Sequence, residues 1–126
     1  MQIVELNHVA IHVEHVERSC EFYSRVLRLE RMERPAFDFP GAWFRLGSRQ
    51  ELHIIGNRQS AVHSHNRGNH FALLVEDLDA WLKHFRTVGI DPMRGPVRRP
   101  DGATQVFLRD PDGHVIELFT PPAGPA

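Results

Sequence analysis

The chain carries the stretch Asn7-His-Val-Ala-Ile-His-Val-Glu14 and repeats it as Asn69-His-Phe-Ala-Leu-Leu-Val-Glu76, with identity at five of the eight positions. The segments after the two copies agree in kind, because apolar residues recur near helical spacing over 15–29 and again over 77–89. A strand followed by a helix is therefore predicted twice. The sequence is best interpreted as an internal repeat.

The ends of the two helices have local signals. Ser19 is a candidate start for the first helix, which we expect to end around Arg28 because no glycine follows it. For the second helix, Asp77 and Asp79 are both candidate starts. Gly89 is the residue type expected to end that helix in a left-handed turn.

Each copy continues into further strands, at 42–46 and 51–55 in the first half and at 104–109 and 114–119 in the second. The segments Gly47-Ser-Arg-Gln50 and Asp110-Pro-Asp-Gly113 are typical of the tight turns that join paired strands. The prediction is an α+β fold in which paired βαβββ modules form a curved mixed sheet around a central metal-binding cleft. We expect one domain over 1–126, with module 1 at about 1–56, a linker at 57–68, module 2 at about 69–120 and a flexible tail at 121–126.

Composition limits the partners. The chain has 126 residues, of which 41% are hydrophobic, enough for one core, and its fifteen Lys and Arg nearly balance its sixteen Asp and Glu. This balance gives no electrostatic case for nucleic acid or a membrane surface, so a small-molecule substrate is the expected partner. The single cysteine, Cys20, excludes a disulfide within the given sequence. Because the strand pattern starts at once, neither a signal peptide nor a membrane span is expected. A cytoplasmic protein is expected.

Histidine is abundant, at nine residues, and strand alternation places some of these side chains on one face. In the first strand, His8 and His12 lie opposite the apolar residues expected under the helix, and His70 occupies the position of His8 in the repeat. In the last strand of each half, alignment pairs His53 with Glu117. Four ligand-type residues thus occupy symmetry-related positions facing the cleft.

A metal ion explains this pattern better than separate roles for each residue. Burying a lone carboxylate or imidazole is costly unless the group is paired or coordinated. A divalent ion bound by His8, His53, His70 and Glu117 would satisfy all four groups. The competing interpretation is a histidine-lined cleft that binds no metal.

The paired modules, the N-H-x-x-x-x-V strand that opens each of them and the closing D-P-D-G-x-x-I-E-L-F resemble the vicinal oxygen chelate superfamily over nearly the whole chain. The resemblance implies a metal held by end-strand residues of both modules, matched here by the same four residues. Glyoxalase I has Glu, and methylmalonyl-CoA epimerase Gln or a similar residue, where His53 stands, so Glu51 could replace His53 as ligand. The fosfomycin-resistance enzymes use a His, His, Glu triad, for which His8, His70 and Glu117 suffice.

The expected chemistry depends on the ligands of such a site. An ion with these ligands would act as a Lewis acid toward neighbouring substrate oxygens, and zinc, nickel, cobalt, iron and manganese all suit mixed nitrogen and oxygen ligands. Glu117 is the candidate for proton transfer. His12, Arg45 and Arg109 are candidates for substrate contact, since a guanidinium suits a carboxylate or phosphate. Specificity is expected from loops at 34–42 and 94–102.

The leading hypothesis is a glyoxalase-like lyase or isomerase that stabilises an enediolate-type intermediate. The alternatives are a thiol transferase, an extradiol-type dioxygenase and a metal-free small-molecule-binding protein. A homodimer is expected, and the sequence leaves open whether each site is built from one chain or from two.

Overall fold

The computed structural model describes residues 1–123, and the last three residues of the tail predicted at 121–126 lie outside the described residues. The chain divides into two compact units, Met1–Ala61 and Val62–Ala126. Each contains one helix and one four-stranded mixed sheet, which confirms the α+β class and the repeated βαβββ order. No helix in the described part of the chain is long and apolar enough to cross a membrane.

The first unit contains β1 (His8–His12), α1 (Val16–Arg25), β2 (Arg31–Met32), β3 (Gly41–Leu46) and β4 (Gln50–Ile55). Its strands lie in the order β1-β4-β3-β2. The pairing of β1 with β4 is parallel, because the chain crosses over through α1, and the other two pairings are antiparallel.

The second unit contains β5 (Phe71–Leu74), α2 (Leu78–Thr87), β6 (Arg94–Arg98), β7 (Thr104–Arg109) and β8 (Val115–Thr120). The order β5-β8-β7-β6 repeats that of the first unit, with β5 parallel to β8. The prediction of a loop over 94–102 is wrong in its first half, which forms the edge strand β6. Pro96 and a shift in register between Arg94 and Val97 disguise this strand in the sequence.

Both ends of α1 differ from the sequence prediction. Ser19 does not start α1; it lies inside the helix, is fully buried, and donates its backbone N–H to the carbonyl of His15. The helix ends at Arg25 rather than around Arg28, which has a positive φ of 55° and takes the left-handed role of a missing glycine.

The second helix agrees closely with the sequence signals. The side chain of Asp77, and not that of Asp79, accepts a hydrogen bond from the backbone N–H of Ala80 at 3.0 Å and caps α2. Gly89 has φ +72°, as expected for the residue that ends a helix.

The predicted alternation is visible in the burial of β3 and β4, but not in β8, whose first four residues, 115–118, are all buried. In the first unit, Leu52 and Ile54 of β4 are at most 1% exposed, while the side chains of Glu51 and His53, which alternate with them, are 19% and 14% exposed. The apolar face of each sheet lies under the helix of its own unit, since α1 contacts β3 and β4, and α2 contacts β8. The opposite face carries the candidate ligands together with apolar side chains such as Leu74, which is 66% exposed.

Candidate functional site

The strand register places His53 and Glu117 at equivalent positions of the repeat. His53 pairs across the sheet with Ala10, and Glu117 pairs with Ala72, the corresponding residue of the second copy. Each also lies opposite an aromatic residue, Trp43 in the first unit and Phe107 in the second. The sequence alignment of the two halves therefore agrees with the geometry of the sheets.

His53 lies between two other rings. Its ring stacks on His8, with centroids 4.1 Å apart and an interplanar angle of 16°, and on Trp43, with centroids 4.1 Å apart and an angle of 3°. Its Nε2 is 2.9 Å from Oε1 of Glu51, and the two side chains are 14% and 19% exposed. The stacking and the hydrogen bond together set the orientation of the His53 ring.

His8 and His70 share a hydrogen-bonding arrangement. Nδ1 of His8 lies 2.8 Å from Oδ1 of Asn7, and Nδ1 of His70 lies 3.2 Å from the carbonyl oxygen of Gly68. An oxygen acceptor at Nδ1 places the proton there and leaves the Nε2 lone pair for a metal. This is the usual support for a histidine that acts as a ligand.

Glu117 is the most buried acidic residue of the candidate set, at 4% exposure. Its Oε1 is 3.1 Å from Nε2 of His70, and its Oε2 accepts a hydrogen bond from Nε2 of Gln105, also at 3.1 Å. A carboxylate withdrawn from water next to a ring and a neutral amide gains strongly from a cation. The second unit thus places a buried negative charge beside a histidine nitrogen.

The two ring nitrogens of His70 both face oxygen atoms, an arrangement that a bound metal ion would explain. A neutral imidazole carries one proton, so it can donate to Gly68 or to Glu117 but not to both. Two ligands of one transition metal at about 2.1 Å each are separated by about 3 Å, close to the 3.1 Å between Nε2 and Oε1. A metal held by both atoms would satisfy the second contact.

The described residues include no group of three or more His, Cys, Asp or Glu side chains placed to hold a metal ion. The first unit brings together His8, His53 and Glu51, and the second brings together His70 and Glu117. The convergence of all four predicted ligands on one ion stays a prediction.

The predicted substrate contacts have local partners. His12 lies at the end of β1, with Nε2 2.9 Å from the carbonyl oxygen of Gly56. Arg45 pairs across the sheet with Glu51, and Arg109 pairs with Val115, so the two arginines occupy equivalent positions. Arg109 also donates to the carbonyl of Gly113 at 3.3 Å.

Two residues beside the candidate ligands were not singled out from the sequence. Gln105 contacts Glu117, and Trp43 contacts His53. Both lie on the strand next to the one that carries the ligand. Alternation along 42–46 and 104–109 could have pointed to them, because it places Trp43 with Arg45 and Gln105 with Arg109 on the cleft side of their strands.

Two groups with shifted pKa values, Cys20 and Asp101, lie outside the set of candidate ligands. Burial raises the pKa of the Cys20 thiol, which is 4% exposed and stays neutral as a core residue. A side-chain hydrogen bond from Arg99 and, to a smaller extent, the backbone N–H of Ala103 together lower the pKa of Asp101 to about 2. Neither group contacts a predicted ligand.

Comparison with known proteins decides the family. Residues 5–118 match the family described as the Glyoxalase/Bleomycin resistance protein/Dioxygenase superfamily. The chain belongs to this superfamily. The match covers both units and confirms the resemblance found in the repeat.

Relatives of this chain within the superfamily are named for different reactions. The chain is 27% identical over 123 residues to the metallothiol transferase FosB of Bacillus licheniformis, covering 94% of this chain and 77% of that protein. It is 31% identical over 126 residues to the lactoylglutathione lyase of Salmonella typhimurium, covering 92% of each. A solved structure of a putative glyoxalase family protein from Bacillus anthracis is similar with a TM-score of 0.82 and 25% identity, over 96% of this chain and 98% of that one.

Proposed function

We propose that this chain is a metal-dependent enzyme of the glyoxalase superfamily, acting as a lyase or isomerase on a small substrate with neighbouring oxygens. The observation that carries the proposal is the contact of Glu117 with His70, in which a carboxylate with 4% exposure lies 3.1 Å from an imidazole nitrogen. The similarity to a lactoylglutathione lyase over most of both chains supports the reaction class.

In this proposal His8, His70 and Glu117 bind a divalent ion, and His53 is the fourth ligand. The Nδ1 contacts of His8 and His70 support these roles, because they leave Nε2 to the metal. Zinc, nickel, cobalt, iron and manganese all suit this donor set. The ligands come from both units, of one chain or of two.

The residues around the ion have distinct proposed roles. The ion, when bound, supplies Lewis acidity toward the substrate oxygens. Glu117 would take the proton from the carbon next to them and return it, while Gln105 holds Oε2. Because Oε1 is also the proposed metal-binding atom, Glu117 would have to loosen from the ion to act as the base. Arg45 and Arg109 bind an anionic group of the substrate, and His12 contacts another part of the substrate.

Metal content tests the proposal most directly. Untagged protein should contain about one divalent ion per predicted ligand set, measured by elemental analysis, and should recover it after chelation and reconstitution. His70→Ala should abolish uptake, His53→Ala should weaken it, and His84→Ala in α2 should leave it unchanged. Far less than one ion per chain after reconstitution would contradict the proposal and favour a metal-free binding protein.

A thiol transferase is the second candidate, supported by the similarity to a metallothiol transferase over 94% of this chain. The two reactions differ in products. With glutathione and 2-oxopropanal, a glyoxalase-like enzyme forms lactoylglutathione, whereas a transferase joins a thiol covalently to an epoxide. Proton NMR of the products that the metal-loaded protein forms from glutathione with 2-oxopropanal, and from a thiol with an epoxide, distinguishes the two reactions.

A homodimer and a cytoplasmic location belong to the proposal as well. The apolar side chains of Ile3, Val4 and Leu6 are 95%, 88% and 66% exposed, more surface than a lone chain usually leaves at one segment. Sedimentation velocity should therefore give about twice the mass of 14.5 kDa. A monomer at micromolar concentration would contradict this part of the proposal.

A further inference from the structure

We propose that Arg34, Phe37, Phe39 and Trp43 form a binding subsite for a flat, uncharged aromatic group of the substrate. We call these four residues the aromatic subsite. As a substrate subsite it rests on the proposed function, because it adjoins His53. Its ability to bind a flat aromatic molecule is a separate property that can be measured without turnover.

The rings of the subsite form a continuous series in the first unit. Phe37 and Phe39 are stacked, with centroids 5.2 Å apart and an interplanar angle of 27°. Phe37 lies 6.1 Å from Trp43, whose other contact is the nearly parallel stack on His53 at 4.1 Å. The series therefore runs from the segment before β3 to a proposed metal ligand.

Arg34 gives the segment a defined shape. Its guanidinium carbon lies 4.9 Å from the ring centroids of both Phe37 and Phe39, and Nη2 donates to the carbonyl of Phe39 at 3.0 Å. The guanidinium lies against Gly41, where a Cβ would be in close contact with it. Cation–π attraction and this hydrogen bond hold the two rings in place before any ligand binds.

The exposure of the rings indicates a missing partner. Phe37 is 46% exposed and Phe39 is 40% exposed, although both are large apolar side chains in a short segment next to polar candidate ligands. Preformed ring faces bind another flat π system better than a puckered aliphatic one, since offset stacking adds to apolar burial. The positive charge of Arg34, 4.9 Å from both ring centroids, disfavours a cationic ligand.

The test uses Trp43 as a reporter. The chain has two tryptophans, Trp43 and Trp81, so Trp81→Phe leaves one indole N–H signal in a proton–nitrogen NMR spectrum. This variant is titrated with 2-naphthol and, separately, with decahydro-2-naphthol, which has the same skeleton and hydroxyl but is not flat. We expect 2-naphthol to shift the indole signal with saturation and decahydro-2-naphthol to bind at least fivefold more weakly.

Substitutions then locate the binding. In the same background, Phe37→Leu with Phe39→Leu should weaken 2-naphthol binding about tenfold, and Arg34→Lys about threefold. Phe37→Tyr with Phe39→Tyr retains both rings and should bind like the parent, which guards against loss of folding in the Leu variant. Ile3→Ala, which removes a still more exposed apolar side chain elsewhere in the unit, should have no effect.

Three outcomes would overturn the proposal. They are equal binding of the two naphthols, binding that survives the double Leu substitution, and a change from dimer to monomer in that variant, which would show that a second copy covers the rings. Failure of the proposed function would give a different result from failure of the subsite. Absence of metal uptake with intact 2-naphthol binding would leave an aromatic-binding protein, whereas metal uptake without 2-naphthol binding would remove the subsite alone.

Discussion

Gln105 donates a hydrogen bond from Nε2 to Oε2 of Glu117 at 3.1 Å, from a position diagonally across the β7–β8 pair. The amide satisfies one oxygen of a carboxylate that is 4% exposed, and the other oxygen faces His70. The partner is neutral, so it orients Glu117 without cancelling its charge. A positively charged residue at position 105 would compete with a metal for the same carboxylate.

Replacing Gln105 with Leu should therefore both destabilise the protein and weaken metal binding. Leaving a buried carboxylate oxygen without its donor costs about 1–3 kcal/mol, measurable by urea denaturation. Loss of a residue that orients a ligand should lower metal affinity about tenfold, measured by calorimetry. Thr104→Val, at the neighbouring position of β7, is the matched control. Unchanged stability and affinity in the Leu variant would show that the hydrogen bond has no role.

The pair of Glu51 and His53 gives a second prediction. Because Oε1 of Glu51 lies 2.9 Å from Nε2 of His53, we expect Glu51 to act on the metal through His53. Glu51→Gln should weaken metal affinity less than His53→Ala, and the double variant should be no weaker than His53→Ala alone, as a double-mutant cycle by calorimetry would show.

The same double-mutant cycle tests whether Glu51, rather than His53, is the metal ligand. If Glu51 replaces His53 as a ligand, Glu51→Gln will cost more affinity than His53→Ala. Glu76→Gln, at an exposed acidic residue of the second unit, serves as the control for a simple change of net charge.

The pKa of Asp101 predicts a contribution to stability that depends on pH. The hydrogen bond from Arg99, with a smaller contribution from the N–H of Ala103, lowers this pKa to about 2, below the value of about 3.9 expected in the unfolded chain. A group whose pKa is lower in the folded state stabilises it above the unfolded value. The contribution should thus be complete above about pH 4 and lost as the pH falls through about 2.

Carbon-13 NMR titration of the Asp101 carboxyl group checks this prediction. Arg99→Gln should raise the pKa only part of the way to its ordinary value, since the N–H of Ala103 still donates to Oδ1 at 3.0 Å. Arg98→Gln should leave it low. An equal rise of the Asp101 pKa in both variants would indicate a general effect of nearby positive charge rather than the specific contact with Arg99.

The N-terminal end of α2 allows a direct comparison of two aspartates. Asp77→Ala should lower the free energy of unfolding by about 0.5–2 kcal/mol, because it removes the acceptor for the N–H of Ala80. Asp79→Ala, in the first turn, should cost less, since it loses only a charge near the positive end of the helix dipole. Urea denaturation of both variants provides the measurement, and a larger loss for Asp79→Ala would contradict the cap assignment.

The sequence by itself determined the repeat, the order of strands and helices, and the alignment of His53 with Glu117. These features depend on local preferences and on side-chain alternation, which are written into neighbouring residues. The turn at Asp110-Pro-Asp-Gly113 is an example: Asp110 Oδ1 accepts from the N–H groups of Asp112 and His114, a contact determined within five residues.

Tertiary structure decided the features in which distant residues compete for one position. Ser19 has a side chain that could cap a helix, yet α1 begins earlier and buries Ser19 in its interior. Pro96 lies in a strand because Arg94 and Val97, on either side of it, pair with β7. The partners of the candidate ligands, Gln105 for Glu117 and Trp43 for His53, depend on the register between adjacent strands. That register is set by the connecting turn together with the face that each strand buries under its helix, and the second of these is decided by tertiary packing.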